Sequence, residues 1–222
     1  MVNILSSSAI YSASWCKEEL KPFFHDTTKV LIIPFSFRDD VDTSEKLQEL
    51  YDPEYGKYYS FVTTPLVELG VKAQNITFLD YFDRNTRKAQ EEIAKSDVIY
   101  FTGGLPDKMV ERIIDYGIMD ALKAYDGVVM GFSAGAMVQL EEYHITPDKD
   151  YPDYCECKGI GYVKAIDIEV HFVKSEAQLQ GINKAIGSFG HKVYAIAEDG
   201  LLLVHDGEIQ CIGNVTEYDF DR

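Results

Sequence analysis

Apolar residues along the chain fall into short runs separated by longer mixed segments. Five runs open this pattern: VNILSS at Val2, KVLIIPFSF at Lys29, NITFLD at Asn75, SDVIYFTGG at Ser96 and GVVMGFS at Gly127. The inner runs are almost continuously apolar and β-branched, which predicts strands buried on both faces of a parallel sheet. The segments between them predict helices. TSEKLQELYDPEYGKYYSFVTTPLVELG contains helix ending at Gly70, interrupted near Pro53. RNTRKAQEEIAKS reads as an exposed helix. LPDKMVERIIDYGIMDALKAYDG sets Met109, Ile113 and Ile114 at helical spacing, with Pro106 and Asp107 suited to a first turn. Strand and helix alternating in this order imply a doubly wound α/β sheet with right-handed crossovers.

The pattern changes after Leu140. EEYHITPDKDYPDYCECKG is polar and tyrosine-rich and reads as a loop. GYVKAIDIEVHF is a strand-like run reaching His171, and SEAQLQGINKAIGSFG is a helix stopped by glycine. KVYAIAEDGLLLVHDGEIQCIG predicts antiparallel strands turning at Asp206-Gly207. With no repeat, low-complexity tract or linker, residues 1–222 are expected to form one domain.

Composition narrows the function classes. The formal net charge is −16, from 37 acidic and 21 basic residues. Such a field repels phosphate backbones and anionic lipid, so neither nucleic acid nor membrane is an expected partner. No stretch approaches the roughly 20 apolar residues that span a bilayer. MVNILSSSAIYSAS lacks the basic start of a secretory leader, so a cytoplasmic location with reduced thiols is expected. Cys155 and Cys157 form a C-x-C without a second pair at zinc-site spacing, so no metal or other cofactor is expected.

Chemistry concentrates at GFSAGAM. The motif G-x-S-x-G follows a predicted strand and precedes AGAMVQLEE, a plausible helix, which is the setting of a nucleophile elbow on Ser133. A serine hydroxyl needs a base, and an imidazole with a pKa of about 6.5 is the usual one. Of the five histidines, His25 lies in a polar loop, His144 in the tyrosine-rich loop, and His191 and His205 beside turns. His171 ends a strand, where α/β folds place catalytic groups. A third group should orient the imidazole; Glu198, which follows an apolar run and is expected to begin a turn, its neighbour Asp199, and Asp148 in the loop after the serine helix all remain open by this reasoning. Oxyanion donors could come from the glycine pair Gly103-Gly104 in YFTGGLPDK and from the amide of Ala134.

Taken in order, ILSSS, VIYFTGGLPDKM, GVVMGFSAGAM, IDIEVHF and VYAIAEDGLLL resemble the peptidase E family of serine peptidases, which includes aspartyl dipeptidases and is related to cyanophycinases. These stretches span nearly the whole chain. The resemblance implies a three-layer, flavodoxin-like sandwich similar to class I glutamine amidotransferases, with a mostly parallel central sheet and a C-terminal antiparallel hairpin. It implies Ser133 as nucleophile, His171 as base, Glu198 as the third member, and Gly104 and Ala134 as oxyanion donors. Asp148 matches only the general location of another acid considered for the third role. The implied partner is a small peptide substrate, and both a monomer and a homo-oligomer are compatible with it. Amidotransferases carry cysteine at the elbow, so Ser133 argues against glutaminase chemistry. Aspartyl dipeptidases have an arginine after the histidine; VKSEAQLQGINK offers Lys174 and Lys184 instead, and the two cations are not equivalent at a bidentate site. The resemblance therefore does not extend to aspartyl specificity. An esterase using the same site, and a catalytically silent binding protein on this scaffold, are the alternative functions.

Overall fold

In a computed structural model that describes residues 1–220, the chain follows the order β1 (Val2–Ser6), α1 (Lys17–Leu20), β2 (Val30–Ile33), α2 (Ser44–Leu50), α3 (Tyr59–Glu68), β3 (Ile76–Phe78), α4 (Thr86–Lys95), β4 (Val98–Phe101), α5 (Pro106–Tyr116), α6 (Met119–Lys123), β5 (Val128–Phe132), α7 (Ala134–Met137), β6 (Glu142–Ile145), β7 (Cys155–Lys158), β8 (Ile166–Glu169), α8 (Glu176–Phe189), β9 (Lys192–His205) and β10 (Glu208–Tyr218). The central sheet runs β10-β9-β1-β5-β4-β2-β3, with β8 added against β9. Strands β1 to β5 pair in parallel, and β1-β9 and β9-β10 are antiparallel. This is the expected mostly parallel sheet, flanked by helices and closed by a C-terminal hairpin.

Alternation along each inner strand explains its continuous apolarity. Val30 and Ile32 of β2, with Val98 and Tyr100 of β4, pack under Val62 and Leu66 of α3. Leu31, Ile33, Ile99 and Phe101 face the other way, under Ala89 and Ile93 of α4 and Met109 and Ile113 of α5. Both faces are thus out of water, as an inner parallel strand requires. Ile114 departs from the expected stripe and is exposed. Gly117, at φ +79, ends α5 in the left-handed region and splits the long predicted helix in two. No helix among the described residues is long and apolar enough to cross a membrane.

Three local readings are corrected. The tyrosine-rich segment is not all loop: β6 and β7 pair antiparallel, Tyr143 opposite Cys157 and His144 opposite Glu156. Tyr143 is buried among apolar residues such as Leu140 and Ile168, and His144 is buried because carboxylates on β8 supply partners for its imidazole. The helix after Ser133 lasts only Ala134–Met137. Its continuation is consumed by Gln139, whose buried amide donates to the carbonyls of Ile4 and Gly135. Glu198 does not begin a turn; it lies within the 14-residue strand β9. Ile196 pairs with Val215 and Gly200 with Gly213, so Ala197, Glu198 and Asp199 face Asn214 alone in a bulge.

Candidate active site

The elbow is built by close approach. Ser133 sits between β5 and α7 with φ +51 and ψ −121, a conformation that L-residues rarely adopt. Its amide donates to the Ser6 carbonyl at 2.9 Å, which ties the turn to the end of β1. The two motif glycines leave no room for a side chain. A Cβ on Gly131 would lie 2.1 Å from the Gly135 carbonyl oxygen, and one on Gly135 would lie 2.1 Å from that of Phe101. G-x-S-x-G is therefore required here by backbone contact between strand, turn and helix.

His171 stands two residues beyond β8, at φ +54. Its amide donates to Ser7 Oγ at 2.9 Å, and the Ser7 hydroxyl donates to the Ile196 carbonyl at 2.7 Å. From the other side, Gln178 Nε2 donates to the His171 carbonyl at 3.0 Å, while Gln178 Oε1 accepts from the amide of Val173 at 3.0 Å. Gln178 also completes a capping box with Ser175 at the start of α8. The histidine is thus clamped between the end of β1, the middle of β9 and a helix cap. Its Nδ1 lies 2.5 Å from Glu198 Oε1. In the neutral ring this makes Nδ1–H the donor and leaves Nε2 as the acceptor. The bulge in β9 is what turns Glu198 out of the ladder toward the imidazole.

Gly103 and Gly104 form the facing wall. Ser36 Oγ donates to the Gly103 carbonyl at 2.6 Å, and the Leu105 amide donates to the Ser36 carbonyl at 2.8 Å. Gly104 has φ +143, and a Cβ there would sit 2.3 Å from the Ser36 carbonyl oxygen. Among the described residues neither the Gly104 amide nor the Ala134 amide has an intramolecular acceptor.

Ser133, His171 and Gly104 all line two adjoining cavities, of about 310 and 540 Å³. No hydrogen bond joins Ser133 Oγ to His171 among the described residues. Such contacts often tighten only when substrate is bound. The larger cavity is aromatic, with Phe61, Tyr58 and Phe132, and carries Arg38 and Lys57. Arg38 is held by two bonds to Asp150, of 2.7 and 2.6 Å. The smaller cavity contains Asp148, which does not reach His171: its Oδ1 accepts from the amides of Asp150 and Tyr151. Asp199 is exposed on the bulge, and His191 and His205 pair with Glu142 and Asp206. Lys174 and Lys184 line neither cavity; Lys184 Nζ instead lies 4.0 Å from the centre of the Tyr154 ring.

Several participants escape sequence reasoning. Ser7, Ser36 and Gln178 act through backbone groups, and nothing in ILSSS, PFSF or SEAQL marks such contacts. Asp167 and Glu169 alternate with Ile166 and Ile168 and so look like an outward polar face. They are buried instead, with His144 bridging them: Nδ1 to Asp167 at 2.5 Å and Nε2 to Glu169 at 2.8 Å.

Comparison with known proteins agrees with this architecture. No curated protein matches the sequence. Among solved structures, a protein from Listeria monocytogenes EGD-e described as a peptidase E superposes with a TM-score of 0.67 at 16% identity, covering 96% of this chain and 98% of that one. A peptidase from an acI-B1 Actinobacterium gives 0.66 at 17% identity, covering 100% of this chain and 95% of that one. Those likenesses establish the fold. The description Peptidase family S51 matches residues 3–212, nearly the full length, and on that match the chain belongs to peptidase family S51.

Proposed function

We propose that the protein is a cytoplasmic serine peptidase acting on short peptides, with Ser133 as nucleophile, His171 as general base and Glu198 orienting the imidazole. The observation that carries this reading is the strained Ser133 at the junction of two cavities that His171 also lines, with Glu198 on the far nitrogen of that ring.

His171 Nε2 takes the hydroxyl proton as Ser133 Oγ attacks the scissile carbonyl. The carbonyl oxygen gains the negative charge and is received by the amides of Gly104 and Ala134, a role supported by their having no other acceptor among the described residues. Collapse of the tetrahedral adduct breaks the C–N bond, and Nε2–H protonates the leaving amine. Water then attacks the acyl-enzyme by the same route, returning Ser133 and releasing the acid. Glu198, on Nδ1, holds the tautomer that leaves Nε2 open to the hydroxyl.

The test joins labelling to turnover. Wild-type protein should react with a fluorophosphonate probe and hydrolyse members of a dipeptide library, and Ser133→Ala should lose both while keeping its circular dichroism. Full activity in Ser133→Ala would overturn the assignment. Ester turnover without any peptide turnover would favour an esterase.

A further inference from the structure

The two cavities beside Ser133 differ in charge. The smaller one is lined in part by Glu169 of β8, whose side chain is only 8% exposed. Its Oε2 accepts from His144 Nε2 at 2.8 Å and from Thr146 Oγ1 at 2.6 Å. Its Oε1 has no partner among the described residues. It is not sealed either: the sealed side-chain atoms without a partner are the hydroxyls of Tyr100, Tyr116 and Tyr143. A nearly buried carboxylate thus presents one open oxygen to the cavity. The lining adds Asp148, and among the described residues neither lysine nor arginine lines the space. The buried imidazole beside it, His144, is shared with a second carboxyl group, Asp167.

An unpaired acceptor in a half-enclosed site costs solvation unless a donor arrives, and a charged donor gains most. We propose that Glu169 makes this cavity the subsite for a positively charged nitrogen of the substrate, a protonated amine or guanidinium carried close to the scissile bond. The assignment rests on the serine peptidase reading above. It runs opposite to an aspartyl preference, since a substrate carboxylate there would meet Glu169 and Asp148. The larger cavity, on the other side of the elbow, is mixed instead: Asp40 lines it together with Arg38, which Asp150 already holds, and Lys57, whose Nζ lies 4.9 Å from the centre of the Tyr58 ring. The nitrogen could belong to the free amino terminus or to a basic side chain, and the experiment separates these.

Binding to Ser133→Ala protein would be measured by titration calorimetry at pH 7 and fixed ionic strength. The ligands are Ala-Ala, N-acetyl-Ala-Ala, Lys-Ala, N-acetyl-Lys-Ala and Asp-Ala. A charged hydrogen bond of this kind corresponds to about tenfold to hundredfold in affinity. If the amino terminus fills the site, acetylation weakens both Ala-Ala and Lys-Ala by that factor. If a side chain fills it, both lysine peptides exceed both alanine peptides. Either pattern, erased in Glu169→Gln, supports the subsite. The proposal is overturned if N-acetyl-Ala-Ala binds as well as every cationic peptide, if Asp-Ala binds best, if none binds, or if Glu169→Gln keeps the preference. The peptide comparison decides the matter on protein with Glu169 intact, even where Glu169→Gln fails to fold. Fluorophosphonate labelling of the wild type reads the hydrolase assignment separately, so the two can fail independently.

Discussion

Alkali should weaken this fold through one imidazole. His144 is fully enclosed, with Asp167 on one ring nitrogen and Glu169 on the other. Burial opposes its charge, but the two carboxylates outweigh burial and raise its pKa from 6.5 to about 9. The native ring therefore keeps its proton where the unfolded chain has released it. Because the folded value is the higher one, the stabilisation is complete below pH 6.5 and is lost as pH rises through about 9. At about 1.36 kcal/mol per unit the shift is worth about 3 kcal/mol, against a total stability of about 5–15 kcal/mol for an ordinary domain. Burial raises the Asp167 carboxyl as well, so the group titrates as a unit around a shared proton. Urea unfolding followed by circular dichroism between pH 6 and pH 10 (about one unit per step) gives the measurement. The wild type should lose about 3 kcal/mol, spread along a near-constant slope from pH 6.5 to about pH 9 and levelling off above it. His144→Gln should start lower and show little of this slope. A wild-type profile that stays flat, or an equal slope in the variant, would refute the argument.

Three further outcomes follow from the site. Ser133→Gly should be more stable than Ser133→Ala by about 1–2 kcal/mol, because glycine relieves the φ +51 strain that alanine retains; thermal unfolding of the pair reads the difference. Glu198→Gln should lower kcat by about a hundredfold or more on any peptide the wild type cleaves, with native circular dichroism; an unchanged kcat would remove Glu198 from the mechanism. Gly135→Ala should cost about 3 kcal/mol or more and abolish fluorophosphonate labelling, since its Cβ would meet a carbonyl oxygen at 2.1 Å and the elbow would have to shift; wild-type stability in this variant would contradict the packing account.

The sheet was legible because burial on two faces writes itself into β2, β4 and β5 as unbroken apolar runs. The elbow was legible because two backbone contacts exclude every residue but glycine at Gly131 and Gly135. What stayed hidden depends on pairing across long separations. His144 looks like a loop residue until Asp167 and Glu169 are brought to it from 23 and 25 positions away. Glu198 looks like the start of a turn because AEDG has turn composition, yet Asn214 on the neighbouring strand decides that it is a bulge. Ser7 and Gln178 hold His171 through its main-chain groups, and a sequence carries no mark of which amide a side chain will find.

The bulge in β9 also bears on how this chain tolerates change. Before the bulge β9 pairs with β8, and after it with β1, so a single strand spans both parts of the sheet. Removing two of its three bulged residues would restore an even ladder against β10 and leave a more regular hairpin. The same repair would withdraw the carboxylate from His171. Chain length between Ile196 and Gly200 is thus tied to the partner of the imidazole, and a relative shortened there would have lost the contact to His171 before any residue at the elbow had changed.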